Sequence, residues 1–155
     1  MSSAIVARGL AGLALSLSAA ACADEVAVES TEVRMSEVGP AVLLRVGNRA
    51  IPVFVDPVVA QSIQGALGGH KPVRPLSHDL MHSVLTGFGG RVSQVVITLH
   101  DGIYYGALTV VMGGKTKVFD SRSSDAIALA IHARAPILVS RELLDQVGIE
   151  LEAKK

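Results

Sequence analysis

Two tight-turn signals constrain the fold of this chain more than any other feature. Gly47-Asn48 separates "GPAVLLRV" from "AIPVFV", and Asp101-Gly102 separates "RVSQVVITLH" from "IYYGALTVVM". Each flanking run is rich in residues that suit a pleated sheet, and Asn, Asp and Gly tolerate the backbone of a two-residue turn. Strands joined this tightly must run antiparallel. The second hairpin continues through Gly113-Gly114 into "TKVFD", a further strand.

Helical segments alternate with these hairpins. In "DPVVAQSIQGALGG", Asp56 stands as N-cap, Pro57 occupies the first helical position and Gly68-Gly69 forms the stop. "LSHDLMHSVLTGFGG" opens with Ser77 as cap, puts Leu80, Met81, Val84 and Leu85 on one face, and ends at Gly87 to Gly90. "SSDAIALAIHA" is a third, Ala-rich helix. "VAVESTEVRM" (26–35) reads as one strand whose polar middle suits a sheet edge. "APILVS" is a short strand entered through Pro136, and "RELLDQV" is a short helix. The expected fold is α+β: a single compact domain over 26–147, with a mostly antiparallel sheet of hairpins packed with three to four helices. A polar tail follows at 148–155.

The chain has 155 residues, enough for one domain and too few for two ordinary ones. Half of it is hydrophobic and the formal net charge is zero, which argues against a protein that coats nucleic acid or anionic lipid by charge alone. Aromatic residues make up 3% and Trp is absent, thin material for a base-stacking platform.

The first 23 residues differ from the rest. Arg8 is their only charge, and Leu10 to Ala21 is an unbroken run of small and apolar residues, too short to span a bilayer. Ala19 and Ala21 sit in A-x-A positions for cleavage, so 1–23 reads as an export signal of a bacterial periplasmic or envelope protein. Cys22, the chain's single cysteine, stands where a lipoprotein cysteine would, although Ala19 replaces the usual large aliphatic residue. Two readings follow: membrane attachment through a lipid on Cys22, or plain cleavage.

Several motifs carry less than they suggest. Gly114-Lys115-Thr116 would need a glycine where Thr109 stands, and a strand–helix setting, to be a phosphate loop. "HDLMH" spaces His78 and His82 one helical turn apart, but Asp79 replaces the glutamate of a zinc protease and no third ligand stands out. His82 is therefore expected on a solvated face, with His70, His100 and His132 isolated on surface or loops. The denser cluster is "DSRSSD", where Asp120, Arg122, Ser123, Ser124 and Asp125 fall within six positions at a helix start. Ser123 or Ser124 as cap, with Asp125 at the positive helix end, explains the serines and one acid. Asp120 and Arg122 are left over. Two acids beside an arginine at a helix N-terminus also suit phosphodiester chemistry: carboxylates hold a divalent ion such as Mg²⁺ or activate water, while Arg and backbone N–H groups receive phosphate charge.

"IPVFVDPVVAQSIQGALGG", "RPLSHDLMHSVLTGFGGRVSQVVI", "DGIYYGALTV" and "FDSRSSDAIALAIHARAPILVS" together resemble the bifunctional nuclease (BFN) domain family, over about 38–145. "RPLSHDL" is similar to the family's RPLTHDL, and "DSRSSDAIALA" to its DARPSDAIALA. The resemblance implies a compact α+β domain cleaving RNA and DNA, with site residues His78, Asp79, Asp120, Arg122, Ser124 and Asp125. Two positions depart from the pattern. The family's IGxxEA falls on "VDPVVA", putting Val59 at the glutamate, and Ser123 replaces a proline. The expected function is an exported nuclease of low sequence specificity, with Asp120 and Asp125 holding a divalent ion or orienting water, Arg122 on the phosphate and His78 as acid or base. The alternative is a non-catalytic envelope domain that binds a partner. Val59, the neutral charge and the few aromatics favour it. A homo-oligomer is compatible with either reading.

Overall fold

A computed structural model describes residues 24–70 and 72–151, so the expected export signal and the expected lipid attachment at Cys22 lie outside the described residues. The elements are β1 (Glu25–Ala27), β2 (Ser30–Ser36), β3 (Gly39–Val46), β4 (Arg49–Phe54), α1 (Pro57–Gly68), α2 (Ser77–Gly87), β5 (Arg91–His100), β6 (Ile103–Met112), β7 (Lys115–Arg122), α3 (Ser123–Ala133), β8 (Ile137–Ser140), α4 (Arg141–Val147) and β9 (Ile149–Glu150). The fold is α+β, as the hairpin signals require. Both turns close two-residue loops, Val46 pairing with Arg49 and His100 with Ile103. At the second, Asp101 and Gly102 adopt φ of 51° and 76°, the left-handed backbone that favours this dipeptide.

The strands form two sheets, in the orders β2-β3-β4-β9 and β1-β8-β5-β6-β7. The 26–35 run is two strands rather than one. Val28 N–H donates to Ile137 O and Glu29 N–H to Arg45 O, so consecutive residues hydrogen-bond to different sheets. β2 lies at a sheet edge, as its polar middle suggests. The pairs are antiparallel except β5 with β8, which is parallel because β6, β7 and α3 intervene. The expected tail contributes β9, paired to β4.

One apolar core joins both sheets, with Leu44, Ile51, Ile63, Ile97, Ile127 and Leu143 fully buried. α3 is its central helix, touching α1, α2, β5 and β6. Its small residues Ala126, Ala128 and Ala130 allow that approach. Gly106 on β6 completes the fit: a Cβ there would stand 2.6 Å from the Ala126 Cβ.

The helix starts differ in detail from the expected caps. Asp56 is the N-cap of α1, but its side chain makes no cap bond. Leu76, not Ser77, is the N-cap of α2, and its N–H donates to Asp79 Oδ2 at 3.1 Å. Arg122 is the N-cap of α3, while Ser123 and Ser124 are buried helical residues. The expected core face of α2 is corrected in part: Leu85 packs against the core, but Leu80, Met81 and Val84 are half exposed, and His78 is the buried residue of that helix. Packing on α3 rotates His78 inward and leaves Leu80, Met81 and Val84 outside.

Candidate active site

β7 passes into α3 without an intervening residue, which puts Arg122 at the junction and Asp125 one turn into the helix. Arg122 grips Asp125 with two donors, Nε to Oδ2 at 2.7 Å and Nη2 to Oδ1 at 3.1 Å. His78 Nε2 lies 3.1 Å from Asp125 Oδ1. Arg122 Nη1 is 3.6 Å from Asp56 Oδ2. Asp56, His78 and Arg122–Asp125 stand at the starts of α1, α2 and α3, so three helix N-termini converge on this cluster. Their partial positive charges favour a bound anion.

The electrostatics follow from these contacts. Burial by itself would raise the Asp125 carboxyl, but hydrogen bonds from Arg122 and His78 outweigh it and hold the group below its ordinary range. The hydrogen bond to Asp125 raises the Arg122 guanidinium in turn. Asp125 is thus a fixed carboxylate, and Arg122 is two-thirds exposed, with Nε and Nη2 on Asp125 and Nη1 toward Asp56.

The cluster forms one end of a groove of about 840 Å³, which Asp56, His78, Asp120, Ser121, Arg122 and Asp125 share with an apolar floor including Val59, Leu108 and Phe119. Lys117 Nζ sits 4.9 Å from the Phe119 ring centroid, at the same strand. Of the six residues expected in the site, the structure brings His78, Asp120, Arg122 and Asp125 to this groove. Asp79 and Ser124 are not among its lining residues. Ser124 is buried in α3, and the Asp79 carboxylate faces His132 instead, with Oδ1 3.7 Å from Nδ1.

His132 and His82 depart from expectation. The His132 side chain is only 8% exposed, and its Nε2 lies 2.9 Å from Ser62 Oγ. His82 has a buried Nδ1 without a hydrogen-bond partner. Their burial comes from helix packing, which no local pattern signals. Asp56 was also missed as a site residue, because Asp-Pro before an apolar run reads as a cap. Its unused cap bond is what frees it for Arg122.

The divalent ion expected at Asp120 and Asp125 finds no preassembled donor set among the described residues. Both Asp125 oxygens already accept hydrogen bonds, and among the described residues no group of three or more His, Cys, Asp or Glu is arranged to hold a metal ion. The zinc reading of His78 and His82 has no geometric support there either.

The model of the bifunctional nuclease domain matches residues 42–152. Two uncharacterized proteins of Mycobacterium tuberculosis, Rv1829 of strain H37Rv and MT1877 of strain CDC 1551, are each 31% identical over 128 residues, covering 81% of this chain and 76% of the relative. This chain belongs to the bifunctional nuclease domain family, whose function is related to nucleic acids.

Proposed function

We propose that this protein hydrolyses phosphodiester bonds in RNA or DNA with low sequence preference, at the groove where α1, α2 and α3 begin. The observation that carries this reading is the His78–Asp125–Arg122 chain of contacts at the junction of three helix N-termini. Arg122 and the helix starts receive the phosphate, and Nη1, exchanging its long contact with Asp56 for the substrate, takes up charge as the phosphorane forms. His78, held by Asp125, moves a proton to or from the attacking water or the leaving oxygen. Asp120, exposed beside it on β7, orients water. The apolar floor and Phe119 accept sugar and base faces without reading base edges, which supports low sequence preference. Residues 1–23 support action outside the cytoplasm, and Cys22 offers a lipid attachment point.

The test incubates the protein with labelled single-stranded RNA and DNA, in Mg²⁺ or EDTA, beside a folded Asp125→Asn variant. Cleavage lost in the variant supports the reading, and the EDTA arm decides whether a divalent ion takes part. Equal cleavage by both proteins defeats it. Fatty-acid labelling of cells expressing the full chain tests Cys22, and an unlabelled protein ends the lipid proposal.

A second reading, a non-catalytic interaction domain, is favoured by the half-exposed Leu80, Met81 and Val84 of α2 and by Val59 at the family's glutamate position. Absence of cleavage with every metal tested, together with self-association, would support it.

A further inference from the structure

On the other side of α2 from the groove lies a cluster that the phosphodiesterase reading does not use. Ser62 Oγ is 2.9 Å from His132 Nε2, and His132 Nδ1 is 3.7 Å from Asp79 Oδ1. Ser62 comes from α1, Asp79 from α2 and His132 from α3. The atoms are ordered as nucleophilic catalysis needs them: hydroxyl to one ring nitrogen, carboxylate to the other. Asp79 is itself fixed, since its Oδ2 accepts from Leu76 N–H and leaves Oδ1 for the imidazole. A carboxylate near Nδ1 favours the tautomer protonated there, so that Nε2 accepts the Ser62 hydroxyl.

Two cavities meet at this cluster. One, of about 310 Å³, is lined by Gln61, Ser62, Gln64 and Asp79. The other, of about 460 Å³, is lined by Asp79, His82 and His132. His82, which lines the second cavity, has a buried Nδ1 without a hydrogen-bond partner, and its ring lies 6.4 Å from that of His132. A buried polar atom left without a partner is costly, and a ligand oxygen or hydroxyl would relieve that cost.

We propose that Ser62, His132 and Asp79 form a nucleophilic site, separate from the Arg122–Asp125 groove, that takes acyl groups from small activated esters. Ser62 Oγ adds to the ester carbonyl carbon while its proton passes to His132 Nε2. The bond from carbon to the alcohol oxygen breaks, and that oxygen leaves with the proton from Nε2. Water then adds to the acyl-serine, giving its proton to Nε2. The carbon–Oγ bond breaks, Ser62 regains the proton and a carboxylic acid departs. The side-chain amides of Gln61 and Gln64 are the donors available for the oxyanion, because the backbone N–H groups around Ser62 are committed within α1. Ser62 is 2% exposed and the cavity beside it is small, so the site selects short acyl chains and excludes polymers. Burial lowers the His132 pKa, against the opposing charge of Asp79 and with the help of His78 and His82, which keeps the base neutral at neutral pH.

The test treats the full chain with p-nitrophenyl acetate and follows p-nitrophenolate release and intact mass, with peptide mapping. The expected result is a burst of about one equivalent and a single acetyl group on Ser62. Ser62→Ala abolishes the burst, and His132→Gln slows acylation roughly 10²- to 10⁴-fold without a matching loss of folded protein. Should Ser62→Ala not fold, Ser62→Cys keeps a nucleophile of similar size and should take the acetyl as a thioester. Nucleic-acid cleavage by the groove is unchanged in Ser62→Ala, so the two sites succeed or fail independently. Acetyl groups on lysines alone, no adduct, or an unchanged burst in Ser62→Ala would overturn the proposal and leave a polar tie between three helices.

Discussion

His78 and Asp79 are consecutive on α2 yet serve different partners: His78 Nε2 lies 3.1 Å from Asp125 Oδ1, and Asp79 Oδ1 lies 3.7 Å from His132 Nδ1. One residue along a helix is a rotation of about 100°, so neighbours point to different faces. Here both faces meet α3, one near its start and the other near its end. The two contacts are geometrically separate, although the charge of His78 still reaches His132.

At the groove, Arg122→Lys keeps the charge and removes the two-pronged grip on Asp125. Cleavage of single-stranded RNA should fall roughly 10²-fold, with little change in melting temperature because Arg122 lies on the surface. An unchanged rate, measured at saturating substrate, would remove Arg122 from the chemistry.

His132 should make stability sensitive to mild acid. Burial lowers its pKa from the ordinary 6.5, so the folded form binds the proton less readily than the unfolded chain. Its contribution is complete above 6.5 and is lost as pH falls through the lower folded value. Melting temperature should decline between about pH 7 and pH 5, and His132→Gln should flatten that decline. The Asp125 carboxyl, lowered from 3.8, acts in a separate and more acidic window. Equal slopes in both proteins would show that His132 is not the group responsible.

Gly106→Ala should destabilise the domain by about 1–3 kcal/mol, read from urea unfolding. The new methyl would meet Ala126 Cβ at 2.6 Å and Arg122 O at 3.2 Å, so α3 must shift where it begins. Groove activity should fall more than the folded fraction does. A variant as stable as the parent would mean that β6 and α3 can separate at little cost.

Val59→Glu probes the departure from the family pattern. Val59 is 6% exposed and shares the groove with Asp56, His78 and Asp125. A carboxyl there should lower the melting temperature, as burial of an unpaired acid does, and raise the cleavage rate per folded molecule. A fall in both would assign position 59 to packing in this chain.

The hairpins, the helix extents and the Arg122–Asp125 cluster were legible in the sequence because each rests on local chemistry: turn residues, apolar spacing and charges within one helical turn. What was hidden depends on neighbours far along the chain. Val28-Glu29 carries no turn residue, so the passage between two sheets leaves no mark. α3 ends at Arg134 in a left-handed conformation, φ 52°, where a glycine would have announced the stop. His132 belongs to a buried cluster only because α1 and α2 pack against α3. The apolar stripe of α2 predicted a core face of which Leu85 alone packs on the core, beside the buried His78.

The direct passage of β7 into α3 has a kinetic consequence. With no loop between them, the sheet edge and the anion-receiving helix end move as one body, and the groove has no hinge of its own at that end. On the proposed reading, a strand bound at Arg122 leaves without a hinge opening at that end, and added salt should weaken its hold there.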